Sequence, residues 1–336
     1  MGLRVAVPRR RPADERDGNV IVDGLRARGI EIGRFMKEPW RPEHGRVLLV
    51  IGNMSWYPTL ARQLETAPLP QLPPTIIWHF EPLPPPARSG LPKPWLDHRE
   101  IVKLLLRDDR VTDPYSNLRR LRSLARRGLP HRLFVSTAER AELLRDYGIE
   151  SEGLPLGYYS KQGHDLGLPR DIDTLFLGIV TLRRRIKLLR LRLAGLNVMA
   201  RGGWNDTECW GDARTRLLNR TKVFLNLPRF PGQFARLRFN LGAANKTLIV
   251  SEPLYNSEVF VPGKHYVAAT IREMPRVVRY YSEHEEERRP IAEAAYKLAT
   301  EVETMDQTLD RLVDVIHECV SGAAPASSLP ERQSNP

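Results

Sequence analysis

Arg236-Leu-Arg-Phe-Asn-Leu-Gly-Ala-Ala-Asn-Lys-Thr-Leu-Ile-Val-Ser-Glu-Pro253, with Asn256-Ser-Glu-Val-Phe-Val-Pro-Gly-Lys-His265 close behind it, decides how the 336-residue chain is read. The stretch reads as a short helix with small residues on its packing side, then a buried strand, then a polar loop at the strand's C-terminal end. Open α/β sheets place their ligands at that end. The same alternation extends outward. Apolar runs at 3–7, 30–35, 47–51, 75–81 and 132–136 read as strands, and a second series follows at 173–178, 198–201, 223–227 and 247–250. Between them lie helical segments such as 20–28, closed by Gly29, and one opened by Ser136-Thr-Ala-Glu139 with a capping hydroxyl and stopped at Gly148. Strands alternating with helices predict an α/β protein with parallel sheets.

Length divides the chain. At roughly 150 residues per domain, two units are expected, an N-terminal one over 1–160 and a C-terminal one over 171–320, joined by a polar, glycine-rich linker. The tail at 321–336 is rich in Ala, Ser and Pro and is expected to be disordered. From Ile291 the apolar positions Ile291, Ala295, Leu298, Val302, Met305, Leu309, Leu312 and Ile316 alternate steps of four and three. They predict one apolar face of a long helix or helix pair, with Pro290 at its first turn, packed on the protein's own sheets rather than on a second chain. The proline-rich segment 68–94 encloses the strand at 75–81, which argues against a polyproline ligand and for stiff loops around a buried strand.

Hydrophobic residues at 41% and charged ones at 27% place the bulk of the chain among ordinary globular material. No apolar run approaches the ~18 residues that span a bilayer, and no long apolar leader follows the N-terminus, so the cytoplasm is the expected compartment. Two cysteines, Cys209 and Cys319, far apart and without metal-ligand neighbours, predict neither a disulfide framework nor a zinc site. A net charge of +12 favours anionic partners. The arginines are spread along the chain without a nucleic-acid-binding motif, so no specific nucleic-acid partner is expected.

Four groups of residues can bear chemistry. Gly178 ends a strand and precedes Arg183, Arg184, Arg185 and Lys187. A strand-end glycine admits a ligand to the backbone, and the helix that follows offers N–H groups and guanidinium forks to a diphosphate. Arg201-Gly202-Gly203-Trp204 again follows a strand, with Gly203 allowing close approach and Trp204 able to stack on a base. Arg238 and Asn240 precede the strand of the opening stretch, and Glu252 and Glu258 follow it, where carboxylates accept hydrogen bonds from ribose or sugar hydroxyls. In the N-terminal unit, His79 and Glu81 close a strand on the cleft side and suit a proton-accepting role. Arg9, Arg10, Arg11 and Asp17-Gly18 follow the first strand and are weaker candidates. Each group has a bland counterpart: a solvated arginine face, a buried loop anchor, surface glutamates, a core histidine.

Leu225-Asn226, Arg238-Phe239, the strand ending at Glu252, Glu258-Val-Phe-Val-Pro-Gly263 and Arg288-Arg-Pro-Ile-Ala-Glu-Ala-Ala-Tyr296 together resemble the GT-B glycosyltransferases, specifically those with a "glycosyl transferases group 1" segment like that of spore-maturation enzymes. The resemblance covers roughly 174–315. It implies two Rossmann-like domains facing across a cleft, the C-terminal one holding a nucleoside-diphosphate sugar and the N-terminal one a glycan, lipid-linked or small-molecule acceptor. It further implies no cofactor and no catalytic metal. Asn240 stands where many relatives carry Glu, and Gly232 stands eight residues earlier, so the paired-glutamate motif of retaining members is missing and stereochemistry is not set. The sequence therefore predicts a metal-independent glycosyltransferase, with His79 or Glu81 as base and Gly178, Arg183, Arg184, Arg185, Gly203, Trp204, Arg238, Asn240, Glu252 and Glu258 on the donor. A peripheral contact with a membrane surface is kept open, and so is the oligomeric state. The alternatives are a nucleotide-sugar epimerase of the same architecture and a non-catalytic nucleotide-sugar or nucleic-acid-binding protein.

Overall fold

The computed structural model describes residues 3–9, 19–94, 101–102, 105, 113–203 and 206–321. Among these residues two sheets form, and every pairing in them is parallel. Strands β1 (Arg4–Pro8), β2 (Glu31–Phe35), β3 (Val47–Ile51), β4 (Thr75–His79), β5 (Arg132–Val135) and β6 (Glu152–Gly153) make a six-stranded sheet in the order β2-β1-β3-β4-β5-β6. Strands β7 (Ile172–Leu177), β8 (Val198–Arg201), β9 (Thr221–Asn226), β10 (Leu248–Ser251) and β11 (Val267–Ala268) make a five-stranded one in the order β11-β10-β9-β7-β8.

The strands are apolar without a break because both faces are covered. Successive side chains point to opposite faces, so Leu48 and Val50 of β3 enter one core of the N-terminal unit while Val47 and Leu49 enter the other. Phe176 parts in the same way from Leu175 and Leu177 on β7. In each sheet the second strand lies on one side of the first and the third lies on the other. That reversal opens a crevice at the C-terminal ends of β1 and β3, and of β7 and β9, the usual place for a ligand in such sheets.

The apolar stripe from Ile291 does not form one helix on one core. A helix at Glu285–Lys297 contains Pro290 internally rather than at its first turn, at the cost of the N–H that would meet the carbonyl four residues back. A π turn at Leu298–Val302 follows, and then a helix at Met305–Ser321. Ala295 and Ala299 pack in the C-terminal core, whereas Met305, Leu309, Leu312 and Ile316 pack against Val5, Val22 and Leu25 in the N-terminal one. The expected boundaries of 1–160 and 171–320 are corrected accordingly, since the last described helix covers the N-terminal sheet. The expected disordered tail lies outside the described residues from 322 onward.

The chain thus crosses between the units twice, side by side. Tyr158 N donates to Glu303 O and Met305 N donates to Tyr158 O, each at 2.7 Å. A Cβ on Gly157 would stand 2.2 Å from the Thr304 carbonyl oxygen, so the second crossing can pass only against a glycine.

Candidate active site

At the crevice between β7 and β9, arginines bridge the two strand ends in layers. Arg238 sits lowest. Its Nε donates to Asn226 Oδ1 and its Nη2 to Leu225 O, both at 2.9 Å, while Nη1 donates to Leu177 O. The guanidinium lies 5.2 Å and 5.1 Å from the ring centroids of Phe176 and Phe224. One layer up, Arg184 donates from Nε to Leu227 O and from Nη1 to Ile179 O, both at 2.9 Å. Above it Arg183 Nη1 reaches Pro228 O at 2.6 Å. Gly178 makes this stack possible. Its φ is +131°, and a Cβ there would meet Arg238 Nη1 at 3.1 Å.

The sequence places Arg184 and Arg238 at the phosphates of a ligand. The structure instead engages them with main-chain carbonyls at and just beyond the strand ends, those of Leu177, Leu225, Leu227 and Ile179. Burial pushes Arg238 down to about 9 and Arg184 down to about 10, with cationic neighbours adding to each shift. Both stay charged at neutral pH. Arg185 is exposed on the outer side of the helix and takes no part in the stack.

Arg183 opens toward a groove of about 570 Å³ lined by Thr181, Arg183, Lys187, Arg190 and Arg229 of the C-terminal unit and by Pro92 and Lys93 of the other. Leu182, Ile186, Phe230 and Pro231 supply its apolar walls. Glu252, just past β10, is the counter-charge. Arg183 Nη2 donates to Glu252 Oε1 at 3.1 Å, and Lys187 Nζ donates to the same oxygen. Glu252 Oε2 lies 2.9 Å from Arg183 Nη2 but has no hydrogen-bond partner in proper geometry. Burial, then Arg183 and Arg190, push Lys187 down to about 8. Lys187 stood in the cluster after Gly178 without a role of its own, and Arg229 escaped the sequence reading. The four-residue spacing from Arg183 puts Lys187 on the same helical face. Arg229, three residues beyond β9, sits where the strand-end rule directs attention.

The loop after β8 touches this site through Gly202, whose Cβ would meet Gly178 backbone atoms at 2.4 to 2.7 Å. Gly203, at φ +138°, borders open space, as expected for a place of close approach. Trp204 lies outside the described residues, as do Arg10, Arg11, Asp17 and Gly18.

A second charged cluster lies where the two units meet. Glu258 has both carboxylate oxygens engaged inside the protein: Oε1 accepts from Ala138 N at 2.8 Å, and Oε2 accepts from Arg236 Nη2 at 2.6 Å. The helix Ala138–Asp146 therefore has no side-chain cap from Thr137, contrary to the hydroxyl cap read from the sequence; a carboxylate from the other unit meets its first amide. Arg236 also pairs with Glu303 at 3.3 Å. Asn240 is fully buried and donates from Nδ2 to Leu156 O at 3.0 Å, which ties the C-terminal unit to the interunit segment and not to the groove.

On the N-terminal side of the same contact, Arg140 Nη1 donates to Phe80 O at 2.8 Å and also to Ser136 Oγ. His79, Glu81, Glu139 and Glu258 are the ionisable groups that its charge acts on. His79 is only 1% exposed, and neither ring nitrogen has a partner in good geometry, although backbone of Glu81 and Gly52 lies near. Burial, with Arg140 behind it, pushes His79 down to about 3, so it is neutral at working pH and a weak base. Glu139 is the opposite case. Burial raises its carboxyl to about 7, with Glu142 and Glu258 pushing the same way and Arg140 opposing. No sequence signal marks Glu139, because the surface that buries it belongs partly to the other unit.

Residues 178–314 match the family described as Glycosyl transferase-like. No curated protein matches the sequence. Among solved structures the chain is similar to the Anabaena protein HepE, solved with UDP and glucose, at 10% identity over 94% of this chain and 100% of that one, with a TM-score of 0.60. AviGT4, a glycosyltransferase involved in avilamycin A biosynthesis, is similar at 13% identity over 96% and 99% of the two chains, with a TM-score of 0.55. S. aureus TarM is similar at 10% identity and a TM-score of 0.55 over 80% of this chain, which spans only 54% of TarM. At such identities these likenesses speak for the fold, and they speak for both units together. The fold is one shared with GT-B glycosyltransferases, and residues 178–314 are similar to the family described as Glycosyl transferase-like.

Proposed function

We propose that the protein transfers a sugar from a nucleoside-diphosphate sugar to a glycan or lipid-linked acceptor. The observation that carries this reading is the convergence of Arg183, Lys187, Arg190 and Arg229 on one groove at the ligand end of the C-terminal sheet, with Lys93 closing it from the other unit. Such a site suits the diphosphate of a leaving group. Charge that develops on the departing oxygen would be met by fixed cations in a partly desolvated cleft, a large contribution in reactions of this kind. In this reading side chains, not a metal, meet that charge. HepE, solved with UDP and glucose, supports the donor class.

Glu252 would hold Arg183 and Lys187 in place and offer Oε2 to a ribose or sugar hydroxyl. For the base, a group with a pKa near the operating pH is best suited, and Glu139 at about 7 meets that condition better than His79 at about 3. Glu81, beside Arg140, stays as the second carboxylate of that cluster.

Titration calorimetry with nucleoside diphosphates tests the donor reading. Wild-type protein should bind one of them, and Arg183→Ala and Arg229→Ala should each weaken binding by about tenfold or more, the loss of one charge-assisted hydrogen bond. Absence of binding for every nucleoside diphosphate and sugar nucleotide at millimolar concentration would sink it.

A further inference from the structure

The helix Leu182–Leu193 has two apolar sides. Leu188 and Leu191 enter the core. Opposite them, Leu182, Ile186, Leu189 and Leu193 are 69%, 45%, 55% and 80% exposed. Their spacing of four, three and four residues lines them up in a single stripe, each turned about 100° per residue from the next. The stripe is edged by Arg185 and Arg192 on one side and by Arg183 and Arg190 on the other. Arg185, Arg190 and Arg192 are exposed and form no ion pair among the described residues, and the helix contains no acidic residue. The preceding loop extends the apolar area with Ile179 and Val180, also exposed.

A solvated face would put charge at the centre of the exposed arc, not leucine. An apolar stripe flanked by arginines, with Arg185 and Arg192 on one side and Arg190 on the other free of ion pairs among the described residues, is the pattern of a helix lying in the headgroup plane of a membrane, its leucines among acyl chains and its guanidinium groups among phosphates. The charge selects the occupant: a partner with negative charge spread beside an apolar layer, which an anionic bilayer provides. From these observations we infer that the outer face of the helix Leu182–Leu193 docks the protein on anionic phospholipid membranes. No described helix is long and apolar enough to cross a membrane, so the contact is peripheral. Leu182 and Ile186 also line the groove described above, so docking brings its mouth to headgroup level.

Cosedimentation of the full chain with vesicles tests the inference. Vesicles of phosphatidylglycerol and phosphatidylcholine in equal parts should pull the protein down at low salt. Pure phosphatidylcholine should retain at least about tenfold less, and raising the salt should release the protein as the Debye length shrinks. The double variant Leu189→Ser with Leu193→Ser should lose binding by about tenfold or more while keeping its thermal midpoint, since both side chains are exposed and neither lines the groove. Equal sedimentation of this variant and the wild type would overturn the inference, as would failure of the wild type to bind anionic vesicles. So would a wild-type dimer that becomes a monomer in the double variant, because the face would then be an interface between two copies of this chain.

Discussion

The upper edge of the C-terminal sheet and the contact between the units are equally rich in charge, but they use it differently. At the contact, Glu258 is shared between Arg236 and the first amide of a helix, Arg236 also meets Glu303, and Arg140 faces Glu81 and Glu139. Arg236, Glu258 and Glu303 are consumed by one another there, and Glu139 is left with a carboxyl raised to about 7. At the sheet edge the lower arginines are consumed by carbonyls, and the upper cations, Arg183, Lys187, Arg190 and Arg229, share a groove in which Glu252 is the described counter-charge. What a site offers a ligand is the charge the protein has not already used.

If that contrast holds, Arg238 matters to the fold and Arg183 to the ligand. Arg238→Ala should give the largest effect, a loss of roughly 3–5 kcal/mol in denaturant unfolding, because the carbonyls of Leu177 and Leu225 and the Asn226 side chain all lose a donor. Arg183→Ala, which gives up a half-buried side chain, one carbonyl contact and one of the two cations on Glu252, should cost less, about 1–2 kcal/mol in stability, because Lys187 still meets Glu252. Equal destabilisation by the two would erase the distinction between buried and available cations.

Nine of the eleven described strands were legible in the sequence because burial on both faces leaves few alternatives; the two-residue strands β6 and β11 and the sheet orders were not read. Val47-Leu-Leu-Val-Ile51 admits one reading, and β3 runs over those residues. The helix Pro58–Thr66 and the helix Gly211–Asn219 were not read, since prolines and charged residues blur their apolar period. In the site, proximity to strand ends was legible and orientation was not. Arg183, Arg184 and Arg185 are identical in type, but a helix turns each about 100° from the last, so one faces the groove, one the crevice and one the solvent. The last apolar stripe was legible as packed; that it serves two cores could not be read, because the break at Leu298–Val302 interrupts no apolar position.

Glu139 sharpens the contact side of the comparison through pH. Its carboxyl titrates near 7 in the folded protein against 4.5 in its ordinary state. As pH rises from below 4.5, the unfolded chain loses this proton first, so the native state loses stability progressively until pH passes 7. Glu139→Gln removes that penalty. Relative to wild type it should be near neutral at acid pH and more stable in mild alkali by on the order of 2 kcal/mol, a difference visible in unfolding midpoints taken across the range. A stability difference that does not vary with pH would place the carboxyl in a solvated setting. If Glu139 is also the base, turnover in the same variant falls at every pH, which separates the two roles.

The smallest effects test the borrowed cap. Thr137 occupies the N-cap position of the helix Ala138–Asp146, but its hydroxyl is buried without a partner, and the first amide is met by Glu258 from the other unit. An N-cap hydroxyl that bonds its own helix is worth about 1 kcal/mol. Thr137→Ala should cost less than about 0.5 kcal/mol, since no cap bond is lost, and relieving a buried unpaired hydroxyl offsets part of the lost packing. Glu258→Gln should cost about 1 kcal/mol, because an amide keeps an oxygen for Ala138 N but loses the charge that holds Arg236. The reverse order, with Thr137→Ala the costlier, would return the cap to its own helix and leave Glu258 free for a ligand in the cleft.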